Sequence, residues 1–332
     1  PFYDLDRWGV NTSGPAFGPF TTNQWFGSNT DNTVYRTSPS RIGNPDLTWE
    51  KRKEISLGLD AVFFNNKLNV ELNYFNNLRD GMVSQLVNTV PLMTGISGAR
   101  PWFNYNKMRF YGMELGLQFS QNFGDLKFSI GGNATVQSSK ILKYDEADYR
   151  FAYQTRIGTP TDGMWGQTYL GKFQSDDEYK AVPQIYDEVL KKGDLKYKDM
   201  NGDGVVDDND QSRIGNSAPR LVYALNLRLG YKNFELWAVG NGRAFYDIGM
   251  TNKYFWNGWG DNNYSKFVKD NQGGDYPRLT YQKVNNNFVF SEFWMRKGDF
   301  FKVQNVELAY NVPANAAQLI GARGIRLFVR GA

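Results

Sequence analysis

The stretch Asp199-Met200-Asn201-Gly202-Asp203-Gly204-Val205-Val206-Asp207-Asp208-Asn209-Asp210 carries the sharpest chemistry in the sequence. Side-chain oxygens fall at positions one, three, five, nine and twelve of a twelve-residue loop, and Gly204 stands at position six. That is the spacing of an EF-hand-type calcium loop, whose glycine permits the sharp turn. Asp199, Asn201, Asp203, Asp207 and Asp210 would offer side-chain oxygens, and Val205 a backbone carbonyl. Position twelve is Asp210 where Glu is usual, so the last contact is weakened and water would complete the shell. A surface turn rich in Asp, Asn and Gly, holding no metal, is the competing reading. The four carboxylates among these donors, packed into twelve residues, repel one another without a cation, which favours a structural Ca2+.

Two further groups invite a chemical reading. Ser175-Asp176-Asp177-Glu178 resembles a carboxylate pair for glycoside hydrolysis, but adjacent residues cannot flank a sugar as acid and base. A helix N-cap at Ser175, with Glu178 three residues on, accounts for them better. Trp256, Trp259 and Tyr264 lie among Asn and Asp in Phe255-Trp256-Asn257-Gly258-Trp259-Gly260-Asp261-Asn262-Asn263-Tyr264. Exposed, they would stack on a sugar, touch a peptide backbone or anchor a lid; packing within the loop is the alternative.

Other chemistry is excluded by composition. The 332 residues include no Cys and no His, which removes disulfides, thiolate nucleophiles, imidazole bases and Cys- or His-ligated metals. No nucleophile, base or oriented acid pair remains, so an enzyme is not expected. Lys and Arg number 38 against 34 Asp and Glu, and no dense basic block marks nucleic-acid binding.

The elements that must position these residues are strands. Apolar residues make up 41% of the chain although its mean hydropathy is negative, so apolar and polar residues are finely interleaved. Ile55, Leu57, Leu59, Ala61 and Phe63 alternate with Glu54, Ser56, Gly58 and Asp60. Asn65-Asn66 makes a turn, and Leu68, Val70, Leu72 and Tyr74 return. The same unit recurs at Met113–Phe119 with Leu126–Val136, at Tyr223–Leu229 with Phe234–Ala238, and at Val306–Tyr310 with Ile325–Val329. Within hairpins the connections are short. Between hairpins they are long, at about 77–107, 138–220 and 242–290.

Strict alternation of short and long connections points to a transmembrane antiparallel β-barrel, with short periplasmic turns and long outer loops. Strands of ~9–11 residues would cross the bilayer when tilted. Phe63, Phe64, Phe119, Phe123, Tyr231 and Phe234 cluster beside the short turns, where an aromatic girdle belongs. Leu57, Leu115, Ile130, Leu227 and Leu308 should face lipid, and Glu71, Gln118, Asn133 and Arg228 the lumen. A soluble β-sandwich with one wet face is the alternative. The sequence stops in mid-pattern at Val329-Arg330-Gly331-Ala332, which reads as part of a larger barrel.

Several segments resemble the C-terminal half of SusC/RagA-type TonB-dependent outer-membrane transporters. They are Asn44-Pro45-Asp46-Leu47-Thr48-Trp49-Glu50, Tyr111-Gly112-Met113-Glu114-Leu115, Gly193 to Gly204, Ile214-Gly215-Asn216-Ser217-Ala218-Pro219 and Phe300 to Pro313. The resemblance covers nearly the whole chain and keeps segment order and spacing. It implies an all-β fold, part of a twenty-two-stranded barrel in the outer membrane of a Gram-negative bacterium. It also implies a SusD-like lipoprotein lid, energy from TonB and a cargo of oligosaccharides or peptides. The plug, the TonB-contacting segment and the last strands of the family are not seen in this sequence. A secreted or surface β-rich binding protein without transport activity is the functional alternative.

Overall fold

The computed structural model describes residues 7–11, 36–89, 100–180, 184, 186, 190–252, 255–256, 266, 270, 276–278 and 284–331. β1 (Arg7–Asn11) and β2 (Arg36–Arg41) form a small antiparallel ladder. Then come β3 (Lys51–Phe63), β4 (Leu68–Gln85), β5 (Trp102–Phe123) and β6 (Leu126–Lys143). A long connection follows, containing β7 (Gly163–Gly166), β8 (Tyr169–Lys172), β9 (Leu195–Tyr197) and β10 (Ser212–Asn216). β11 (Leu221–Tyr231) and β12 (Phe234–Ala244) precede a second long connection with β13 (Asp247–Gly249) and β14 (Met295–Lys297). β15 (Phe300–Val312) and β16 (Ile325–Gly331) end the described chain.

Eight of these strands form one antiparallel sheet in the order β16-β15-β12-β11-β6-β5-β4-β3. Nearly every neighbour in the sheet is also a neighbour in sequence, so the sheet is a meander. Phe64, Asn65 and Asn66 all adopt positive φ at the turn between β3 and β4, as a tight hairpin demands. A short helix, Ala314–Gln318, follows Pro313 in the turn between β15 and β16.

Register makes the two faces consistent across all eight strands. Leu68, Phe119, Ile130, Leu227, Ala238 and Val306 stand on one rung, each paired with the next. Leu59, Leu72, Leu115, Ala134 and Tyr223 form another on the same side. The opposite face carries Asn69, Gln118, Gly131 and Asn226 on one rung, and Ser129, Arg228, Trp237, Glu307 and Arg330 on another. Leu57, Leu115, Ile130, Leu227 and Leu308 therefore share one face, and Glu71, Gln118, Asn133 and Arg228 the other.

Among the described residues, no second layer covers the apolar face. Leu57 is 65% exposed, Leu308 52% and Ile130 44%. A soluble sandwich would bury these side chains, so that alternative fails. The ten residue steps from Met113 to Phe123 make about 34 Å of strand, or ~24 Å of height at a tilt of ~45°. That matches the ~25 Å apolar band of an outer-membrane barrel. Its lower edge carries Phe123, Tyr231, Phe234 and Tyr310, with Phe234 and Tyr310 ring centroids 4.8 Å apart.

The strands outrun the expected loop bounds. β5 has 22 residues, twice what crossing requires, and pairs with β4 up to Gln85↔Trp102. Nothing in water stops a two-stranded ladder from continuing past the bilayer while both partners hold their bonds. The connection expected over 77–107 thus shrinks to 86–101. A charge at Leu227, near mid-band, should cost ~2–4 kcal/mol. Leu227→Arg should therefore deplete the folded, heat-modifiable species in outer-membrane fractions, while Arg228→Leu on the polar face should leave it near normal.

Candidate functional site

At the end of the sheet opposite the short turns, the two long connections fold together into one body. Its apolar centre is Leu195, Tyr197, Val206, Tyr276, Phe293 and Trp294. Trp294 is fully buried, with Phe293 edge-on at 4.8 Å and Phe288 stacked at 6.0 Å. Strand-like bonds stitch the connections together: Gln167 donates its backbone N–H to Phe290, and Glu292 donates back to Gln167.

The polar clasp of this body is Asp194. Its carboxylate is fully buried and accepts from Arg278 Nε at 3.2 Å and Nη2 at 3.0 Å. It also accepts from Asn287 Nδ2 and from the Lys191 backbone N–H, each at 2.8 Å. Asn287 in turn accepts from Leu195 N–H, and its carbonyl accepts from Trp294 Nε1 at 2.9 Å. Asn286 donates to the Leu195 carbonyl, and Tyr197 donates to the Asn286 carbonyl. Burial raises the Tyr197 hydroxyl pKa far above its ordinary value, so it stays protonated and keeps its proton to donate. A buried charge is tolerable when hydrogen bonds surround it this completely. Nothing in the sequence singles out Asp194, Arg278, Asn286 or Asn287. Only a fold brings together residues 84 positions apart.

The 199–210 loop is built into the same body. Val206 at position eight is fully buried in the apolar centre. Asp199 accepts from Gly202 N–H at 2.6 Å and from Gly204 N–H at 2.9 Å, and Gly204 has φ +89°. Asp203 accepts from Val205 N–H, Asp207 from Asn209 N–H, and Asn201 from Asp203 N–H. Asp210 is fully buried and clasps Met200, Asn201 and Asp207 through their backbone N–H groups. Tyr153 donates to the Asn209 carbonyl at 2.8 Å. Burial, and then the charges of Asp210, Asp199, Asp203 and Asp207, push the Tyr153 hydroxyl pKa upward. Among the described residues, no three acidic groups converge on a single point fit for a metal ion.

Trp256 packs inward, edge-on to Trp294 at 5.9 Å and to Phe288 at 6.3 Å. Its ring is engaged within the chain, as the packing alternative has it. Trp259 and Tyr264 lie outside the described residues. The carboxylates of 176–178 are structural. Asp176 accepts from Lys192 N–H, Asp177 meets Lys180, and Glu178 accepts from Gln174 N–H at 2.7 Å while touching Lys196. The element there is a 3-10 turn, Glu178–Lys180, and the Glu178 carboxylate takes the backbone N–H of Gln174.

Below the loops, the polar face of the sheet holds a depression of about 280 Å3, lined by Asn69, Glu71, Gln118, Asn133 and Asn226 with Leu117, Leu225 and Val239 among them. Glycine keeps it open: a Cβ on Gly131 would sit 2.0 Å from the Gln118 side-chain oxygen and 2.9 Å from Asn226 Nδ2. Such a surface suits water and hydroxyl- or amide-rich solutes, and offers no reactive group.

Residues 8–319 match the model of a family described as TonB dependent receptor-like, beta-barrel. TonB-dependent receptor P26 of Formosa agariphila is 26% identical over 313 residues, covering 88% of this chain and 30% of that protein. TonB-dependent receptor SusC of Bacteroides thetaiotaomicron is 25% identical over 290 residues, covering 84% and 28%. The RagAB peptide importer in its open-open state shares the fold with a TM-score of 0.69 at 19% identity, over 99% of this chain and 34% of that one. The chain thus spans about a third of the length of the proteins it matches.

The clasp has a measurable consequence. Breaking a buried, fully bonded ion pair costs about 3–5 kcal/mol. Asp194→Ala should speed hydrogen exchange at Leu195 and Asn287 by two orders of magnitude or more, while amides of β5 and β11 keep their protection. Asp194→Ala with Arg278→Ala should recover part of that loss, because no unpaired charge is then left.

Proposed function

The chain belongs to the TonB-dependent receptor-like β-barrel family of outer-membrane receptors and transporters, which are not enzymes, and from that premise we propose that it is the wall and outer-loop portion of a SusC/RagA-type nutrient importer. The whole protein would take up oligosaccharides or peptides with energy from TonB, and a SusD-like lipoprotein would close over the outer loops. The observation that carries this reading is the pairing of an exposed apolar outer face with a polar inner face capped by a folded loop body. A secreted binding protein has no use for an apolar face of that height. The relatives' names support the pairing: one is SusC, and another is described as a peptide importer.

The full-length protein, purified gently from outer membranes, should bring down a surface lipoprotein. Released cargo, identified by mass spectrometry, should be glycan or peptide. Asp194→Ala, which loosens the loop body, should weaken lipoprotein retention. A protein that purifies alone under every mild condition, with no enriched small ligand, would count against the importer reading.

The 199–210 loop is proposed to hold calcium in a structural role. Its donors are the hard oxygens such an ion takes, supplied by Asp199, Asn201, Asp203, Asp207, Asp210 and the Val205 carbonyl. Asp210 is already engaged by three backbone N–H groups. An ion would instead recruit the exposed Asp203 together with Asp199 and Asp207, relieving their mutual repulsion. Millimolar calcium should slow proteolysis and hydrogen exchange across 199–210, and Asp199→Ala with Asp203→Ala should abolish that response while the barrel still forms. No change with calcium would leave the segment as a turn.

A further inference from the structure

Above the apolar band, the outward face of β3 to β6 turns basic. Following the same rungs upward from Leu57, Tyr74, Met113 and Val136, the next holds Ile55, Asn76, Tyr111 and Ser138. The rung after that holds Lys53, Leu78, Arg109 and Lys140, and the one beyond it Lys51, Asp80, Lys107 and Lys143. Six cations and one carboxylate therefore share a patch four strands wide, about 14 Å across and two rungs tall. Among the described residues, Lys107 alone of the six has a carboxylate partner, Asp80 at 2.8 Å. Lys51, Lys53, Arg109, Lys140 and Lys143 are exposed.

The arrangement is unfavourable in isolation. Arg109 lies directly opposite Lys140, and Lys107 directly opposite Lys143. Like charges facing one another across a ladder destabilise it. Two such pairs stacked on adjacent rungs call for anions from outside the chain. The inner face at this height cannot supply them, because Ser139 and Ile141 are buried there beneath the first long connection.

Height identifies the anion. Arg109 is four residues beyond Met113, about 14 Å of strand and ~10 Å of height at a ~45° tilt. Tyr111, lying between them, marks the interface. The basic rungs therefore stand in the headgroup layer of the outer leaflet, with their aliphatic stems over the last apolar rung. We propose that this patch binds the phosphate groups of anionic lipid headgroups, and that it fixes this sector of the barrel at its depth in the outer membrane. Charge complementarity and continuity with the lipid-facing band select lipid over any soluble partner.

The test uses the full-length protein, delipidated in neutral detergent and titrated with phosphatidylglycerol or phosphatidylcholine under native mass spectrometry. A cation near an anionic surface contributes about fivefold in affinity, ~1 kcal/mol. Arg109→Gln with Lys140→Gln should therefore weaken phosphatidylglycerol binding roughly 25-fold and leave phosphatidylcholine unchanged. Lys51→Gln with Lys53→Gln should show the same loss from a different strand. Arg79→Gln, which acts on the inner face where Arg79 lies over Phe110, should show none. Phosphatidylglycerol affinity unchanged from wild type in both outer-face variants would overturn the proposal. So would an equal fall in Arg79→Gln, or displacement of the lipid by inorganic phosphate at matched concentration, which would mark a site for small anions.

Discussion

A strand that meets hydrocarbon must satisfy every backbone N–H and C=O through its two neighbours, because the solvent offers no partners. The sheet obeys this along its interior. β5 pairs with β4 and β6 without a break from Met108 to Phe119, and β11 pairs with β6 and β12 from Leu221 to Tyr231. With the backbone closed, side chains are released from packing duty. One face becomes uniformly apolar and the other is free to be polar. Shifting any strand by one residue would exchange its two faces, so lipid on one side and water on the other lock the register.

The outer connections face the reverse situation. In water their backbones are easily satisfied, but nothing holds them in place, so they need a core of their own. Trp294, Leu195, Val206 and Phe293 supply it, and Asp194 with Arg278 and Asn287 ties the two connections across it. Anything approaching from outside therefore meets one folded body. The acidic 199–210 loop belongs to this body through Val206 and through Gln167, whose side chain donates to the Asp207 carbonyl at 2.6 Å.

How much of this is legible in the sequence follows from what each environment asks of its residues. Leu57 and Glu71 could be assigned to faces because two immiscible solvents impose a period of two. The turns could be placed because positive φ restricts residue choice, as at Asn65 and Asn66. Strand ends were less legible: past Asn77 and Lys107 both faces are polar enough that alternation fades, although the ladder continues to Gln85 and Trp102. The loop body was hidden, since Asp194 finds Arg278 only through the fold, and β7 to β10 are too short to show a period. Trp256 illustrates the same limit. Its composition suggests a binding surface, and its position in the core is set by Phe288 and Trp294.

A barrel wall requires β11 to have lipid on one side and water on the other. This chain has no Cys, so single cysteines can be introduced from Val222 to Leu229 and spin-labelled in the full-length protein after reconstitution. Accessibility to oxygen, which concentrates in lipid, should peak at Tyr223, Leu225, Leu227 and Leu229. Accessibility to a water-soluble nickel chelate should peak at Val222, Ala224, Asn226 and Arg228. Two profiles in antiphase with period two are the predicted result. Flat profiles, or both reagents favouring the same positions, would contradict the barrel wall and everything built on it.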